Sequence, residues 1–224
     1  MPPLSTLVID HKGQPEIYYG VLWRGDISLF ERIMNYKKYQ KTNEAHLEEL
    51  KKVIADGKAT LLIGTGCSMP LNYPSWRKLV DIMLSECCKT PSLKAHIKTF
   101  RKEKELLYVA GKCKDYLGSE YYNILFDEFK PKKGKNFTEE HNVILSLPFS
   151  RIITSNYDPC LDHALSKVKS TPAVPFTYSN DKLLAEFISR PGDSKNHIFH
   201  MHGRYDKPEE IILTENDYQK HYEL

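Results

Sequence analysis

Three short apolar runs, each breaking off abruptly into small or polar residues, constrain this chain more than any other feature of its sequence. Thr60–Ile63 runs into Gly64-Thr65-Gly66-Cys67-Ser68, Arg151–Thr154 into Ser155-Asn156-Tyr157-Asp158-Pro159, and His197–Met201 into His202-Gly203. Each run has the length and aliphatic or β-branched character of a buried strand. Between them the spacing turns helical. From Trp76 to about Ser146 it is carried by Leu79, Ile82, Met83, Leu106, Leu107 and Leu117; further helices run to about Lys167 and from Asp181 to Ser189. Strands alternating with helices specify an α/β fold, a mostly parallel sheet with helices on both faces, and the long helical stretch reads as a module inserted between two core strands. Such sheets bind ligands beyond the carboxyl ends of their strands, where all three runs stop.

The remaining elements are read in the same way. Leu7–Ile9 and Glu16–Leu22 flank a turn-rich segment and predict an N-terminal hairpin, and Ser28 with Glu31 predicts a short helix through Tyr36. A second helix, Glu44 to Ala55, stops at Gly57. Pro70 and Pro74 postpone the next helix until Ser75, Ile211–Leu213 reads as a fourth strand, and Thr214 caps a last helix. The expected division is an extension over residues 1–41 and one domain over 42–224, with the helical insert at about 76–147.

A chain of 224 residues suits one α/β domain. A net charge of +3, with basic and acidic residues interleaved, gives no electrostatic footprint for direct nucleic-acid binding. The five cysteines (Cys67, Cys87, Cys88, Cys113, Cys160) include no C-x-x-C, so no zinc module and no metal is expected, and their odd number fits reduced thiols in a cytoplasm. No signal peptide or membrane span is expected.

Taken singly, the three strand-end motifs are weak. Gly64 and Gly66 let backbone N–H groups approach a diphosphate, yet a short G-x-G is more often a tight turn; Met69 stands where a G-x-G-x-x-G loop needs glycine, and no Gly-Lys-Ser/Thr follows. Asn156 and Asp158 suit an ordinary turn before a helix as well as a site. A lone histidine is usually structural, but His202 precedes a glycine where an imidazole has room to face a cleft. Convergence of a glycine loop, an amide with an acid, and a histidine on one sheet edge is what raises the specificity. His200, two residues earlier on the same strand, is expected to point to the opposite face and to serve as a structural control.

In these motifs, together with Pro74-Ser75-Trp76-Arg77 and Ile211-Ile212-Leu213-Thr214 with Asp217-Tyr218, the chain resembles the sirtuin-like family, in particular its zinc-free branch of bacterial anti-phage defence proteins, over roughly residues 42 to 220. The resemblance implies a Rossmann-like NAD site, with NAD as substrate and no metal. It implies catalysis by Asn156 and His202, and contacts to the dinucleotide from Gly64, Thr65, Gly66, Cys67, Ser68, Trp76, Arg77, Ser155, Asp158 and Gly203. The reaction implied is cleavage of the nicotinamide–ribose bond to ADP-ribose or a cyclic form, by an NAD-depleting effector held silent through homo-oligomerisation, a partner or an attached sensor domain. Deacylating members carry paired C-x-x-C ligands after the histidine, absent here, which weighs against protein deacylation. The sequence also stops before the Gly-x-Ser loop that the family places on the adenosine side, so a longer parent chain is expected. Two rivals stand: a non-catalytic NAD or ADP-ribose sensor, and a hydrolase with Cys67 as nucleophile.

Overall fold

A computed structural model describes residues 6–9, 15–18, 43–89, 105–190 and 195–222. The expected N-terminal hairpin is present as β1 (Thr6–Ile9) paired antiparallel with β2 (Pro15–Tyr18). The helix expected from Ser28 to Tyr36 and the continuation of the second strand to Leu22 lie outside the described residues.

Among the described residues the main sheet has four parallel strands. After helix α1 over residues 43–55, they are β3 (Thr60–Ile63), β4 (Arg151–Thr154), β5 (Val174–Thr177) and β6 (His197–His200), in the spatial order β3-β4-β6-β5. The register aligns their carboxyl ends: Ile63 pairs with Thr154, Thr154 with His200, and Thr177 with His200. Whatever follows each strand therefore starts at one level of one edge. Ser155 N–H donates to the Ile63 carbonyl (3.3 Å) and Met201 N–H to the Thr154 carbonyl (2.9 Å), so the pairing persists one residue past the strands.

The side-chain alternation of parallel strands divides the apolar residues between two faces. On one face Leu61, Ile63, Ile152 and Ile198 form a core with Leu145 of α5 (Glu139–Leu145) and with Leu161, Ala164 and Leu165 of α6 (Cys160–Lys169). On the other, Phe199 stacks on Phe176 of β5, with ring centroids 5.3 Å apart, and both meet Phe187 of α7 (Asp181–Ser189). Helices thus cover both faces, as the alternation of elements requires.

The inserted module supplies a second core. Ser75 caps α2 (Trp76–Cys87) by accepting from Lys78 N–H, which is why the helix waits until the prolines have passed. With α3 (Leu106–Leu117) and α4 (Ser119–Phe129) it buries Leu79, Met83, Val109, Ala110, Tyr121 and Leu125. Tyr157, Cys160, Ile211 and Leu213 pack into the same cluster and weld it to the sheet. Tyr157 also donates to the Ile212 carbonyl (2.9 Å) and meets Phe129 edge to face.

Two expectations are corrected. β5 is a strand that sequence reading passes over, because Pro175 sits within it; an edge strand tolerates that missing donor. Ile211–Leu213 is not a strand: its residues are buried and Ile212 N–H donates to the His202 carbonyl (2.9 Å), but no ladder forms. The final helix, α8 (Glu215–Tyr222), is capped as expected. Thr214 Oγ1 accepts from Asp217 N–H, and the Asp217 carboxylate accepts from Thr214 N–H.

Gly203 closes this part of the fold. Its φ is +90°, and a Cβ there would lie 2.5 Å from the Glu210 carbonyl oxygen, a backbone atom that cannot step aside. Gly203→Ala is therefore expected to destabilise the domain by about 2–3 kcal/mol or more, from left-handed strain plus the clash. A chemical-denaturation midpoint equal to wild type would contradict this packing.

Candidate active site

Asn156 lies two residues beyond β4 and His202 two residues beyond β6, so the Thr154–His200 pairing brings them to the same level on neighbouring strands. Neighbouring strands run about 4.8 Å apart. Farther along, Tyr205 N–H donates to the Tyr157 carbonyl (2.9 Å), keeping the two loops together.

Asn156 is almost wholly buried, 1% exposed, and nearly all of its polar groups are committed. Its N–H donates to Thr154 Oγ1 (3.0 Å), which donates onward to the Ile63 carbonyl (2.8 Å). Its carbonyl accepts from His200 Nδ1 (2.9 Å). Its Nδ2 donates to the Gly64 carbonyl and to Ser68 Oγ, each at 3.2 Å. Since a carbonyl only accepts, the Gly64 contact fixes which end of the amide is nitrogen. Oδ1 is left buried with no partner among the described residues. A buried acceptor without a partner is the exception in folded proteins.

The glycine loop folds as two short 3-10 turns, Thr65–Cys67 and Met69–Leu71. Gly64 and Gly66 are exposed, Thr65 and Cys67 half-buried, and Ser68 fully buried. Ser68 turns inward: it accepts from Asn156 and donates to Asp158 Oδ1 (3.0 Å), which also accepts from Cys160 N–H (3.0 Å). At least one oxygen of Asp158 is thus occupied in framing the loop. Ser155 stands beside Gly64, where a Cβ would come 3.8 Å from Ser155 Oγ. Trp76 and Arg77 open α2 just past the loop; the Trp76 ring packs against the helical core, and Arg77 is exposed.

His202 is half-buried, with Tyr218 and Tyr222 of α8 set edgewise at centroid distances of 5.4 and 6.1 Å. Tyr222 also donates to the Met201 carbonyl (3.2 Å). Burial lowers the His202 pKa below its ordinary 6.5, so the ring is neutral at neutral pH and able to accept a proton. Burial raises the Cys67 thiol above its ordinary range, and Glu140 and Asp158 add to the effect. That opposes thiolate formation and weighs against Cys67 as a nucleophile. Among the described residues, no group of three or more His, Cys, Asp or Glu side chains is placed to hold a metal ion, and no helix is long and apolar enough to cross a membrane.

Residues 150–224, which carry the Asn156 and His202 motifs, match the SIR2-like domain family. Over that segment the chain is similar to sirtuins. It is 27% identical to "NAD(+) hydrolase ThsA" of Bacillus cereus (strain MSX-D12) over 181 residues, covering 80% of this chain and 34% of that protein. It is 24% identical to the protein of the same name from Enterococcus faecium over 178 residues, 78% of this chain and 34% of the relative. It is also 27% identical to "Defense-associated sirtuin 2" of Bacillus subtilis over 191 residues, 77% of this chain and 16% of that protein. The chain thus spans about a third of the length of these ThsA relatives.

Within this candidate site, sequence reading missed the inward role of Ser68 and the neighbours of His200. His200 is fully buried, and its Nε2 lies 3.0 Å from Asp162 Oδ1 of α6, while Arg204 Nη1 donates to Asp162 Oδ2 (2.7 Å). Strand parity held a clue, since residues two apart share a face and Ile198 packs on α6.

For His202 the sign follows from burial: the unfolded chain takes up the proton first, so stability is present above the ordinary 6.5 and is lost as pH falls through the lower folded value. In an NMR titration of the ring protons, His202 is expected to have a midpoint below 6.5. A midpoint at or above it would contradict the half-buried placement.

Proposed function

We propose that this domain is an NAD glycohydrolase, breaking the nicotinamide–ribose bond to release nicotinamide and ADP-ribose or its cyclic form. The observation that carries the reading is the buried, unpartnered Oδ1 of Asn156, set beside an exposed glycine loop and one strand away from a neutral imidazole. The relatives named NAD(+) hydrolase support the reaction class.

Nicotinamide departs from a cationic pyridinium as a neutral molecule, so no acid is needed to protonate it, in contrast to ordinary glycoside hydrolysis. The protein must instead orient the ribose, stabilise its oxocarbenium character and take one proton. In this reading Asn156 Oδ1 accepts from a ribose hydroxyl or the attacking water, and His202 receives the proton. Backbone N–H groups of Gly64, Thr65 and Gly66 cradle the diphosphate with Cys67 alongside, and Arg77 steadies the loop or a phosphate. Trp76, Ser155, Asp158 and Gly203 complete the pocket, with Ser68 bracing Asn156 from behind.

The wider role we assign is NAD depletion in anti-phage defence within the cytoplasm, which the name of the Bacillus subtilis relative supports. Silence before infection is assigned to self-association, a partner or an attached sensor domain, and residues 1–41 to an accessory extension of the 42–224 domain.

Incubating the purified chain with NAD and measuring free nicotinamide tests the reading. The wild-type chain is expected to release nicotinamide, and Asn156→Ala and His202→Ala to lose about 100-fold or more of that rate while keeping their circular dichroism spectra. Undiminished release by Asn156→Ala would overturn the assignment. Binding of NAD with no release by wild type would favour a non-catalytic sensor.

A further inference from the structure

His200 is absorbed neither by the proposed chemistry nor by the apolar core. It is fully buried, and both ring nitrogens face oxygen: Nδ1 the Asn156 carbonyl at 2.9 Å, and Nε2 the Asp162 carboxylate at 3.0 Å. A neutral ring carries one N–H, so one of these contacts would set two lone pairs against each other. A proton on Asp162 would relieve that conflict, but Arg204 stands on the other carboxylate oxygen at 2.7 Å. Burial alone would raise the Asp162 pKa, yet His200 and Arg204 together hold it below the usual carboxylate range. Behind Arg204 lies Asp206, bonded through both oxygens (2.9 and 3.1 Å). His200, Asp162, Arg204 and Asp206 then form a chain of alternating charge, the arrangement in which buried ions are tolerated.

We propose that His200 is a positioning residue, an imidazolium clamped between Asp162 and the Asn156 carbonyl that holds the Asn156 carboxamide at its working position. The expectation that His200 is a bystander is thereby revised. The geometry explains why the clamp matters: the remaining anchors of Asn156 all lead to β4 and the glycine loop, whereas His200 ties it to β6, the strand that delivers His202. The kinetic part of this inference rests on the NAD-cleaving reading; the protonation state does not.

Two measurements test it together. In nitrogen-15 NMR spectra of the folded wild-type chain, His200 is expected to show both ring nitrogens protonated; a single neutral tautomer would overturn the proposal whether or not the chain cleaves NAD. In nicotinamide-release kinetics, His200→Ala is expected to lower kcat by about 10- to 100-fold, as a misplaced catalytic group does, with little change in KM. His200→Asn places an amide N–H where Nδ1 stood and is expected to recover part of that loss. Wild-type kcat in His200→Ala, or equal losses in both variants, would overturn the positioning role. If His200→Ala does not fold, the His200→Asn kinetics and the NMR result decide. If wild type releases no nicotinamide, the function reading fails and the NMR spectrum decides the clamp alone.

Discussion

The buried hydrogen-bond set of Asn156 is the constraint on which the site depends. One residue ties together β3 through Thr154 and Ile63, the glycine loop through Gly64 and Ser68, and β6 through His200. Each such bond contributes about 1 kcal/mol net, so the anchoring of this single residue, backbone and side chain together, is comparable to a sizeable part of a domain's stability. Its own Oδ1, without a partner among the described residues, runs against this economy. A buried unpaired oxygen costs about 1–3 kcal/mol, and in the proposed function this cost is recovered when a ligand donor meets it.

The position of Asn156 in the fold makes such anchoring feasible. It sits at the seam between two cores, since Tyr157 enters the helical module's cluster while Leu161, four residues on, enters the cluster against the sheet. The chain around Asn156 is therefore pinned from both sides by apolar packing, which holds the polar groups at bonding distance without further ordering. The same seam receives Ile211 and Leu213, which bring α8 and its tyrosines against His202.

Much of this was legible in the sequence, and the exceptions have physical causes. The strands ending at Ile63, Thr154 and His200 announce themselves because each is an apolar run cut off by glycine or polar residues, and Ser75 and Thr214 carry recognisable caps. β5 was hidden by Pro175, which reads as a breaker until its edge position is known. Ile211–Leu213 has strand composition, but Ile211 and Leu213 pack into the helical module's core and form no ladder. Of the candidate site residues, Asn156 and His202 are singled out by their place at strand ends, whereas the Asp162–Arg204 support of His200 depends on contacts across 38 to 42 positions in sequence that no local pattern encodes.

The account comes down to where a dinucleotide places its nicotinamide ribose relative to one carboxamide. A crystal structure of His202→Ala soaked with intact NAD measures this directly. The account predicts a ribose hydroxyl within hydrogen-bond distance of Asn156 Oδ1, with the diphosphate against the Gly64–Gly66 backbone. NAD bound elsewhere, with that oxygen still bare, would contradict it.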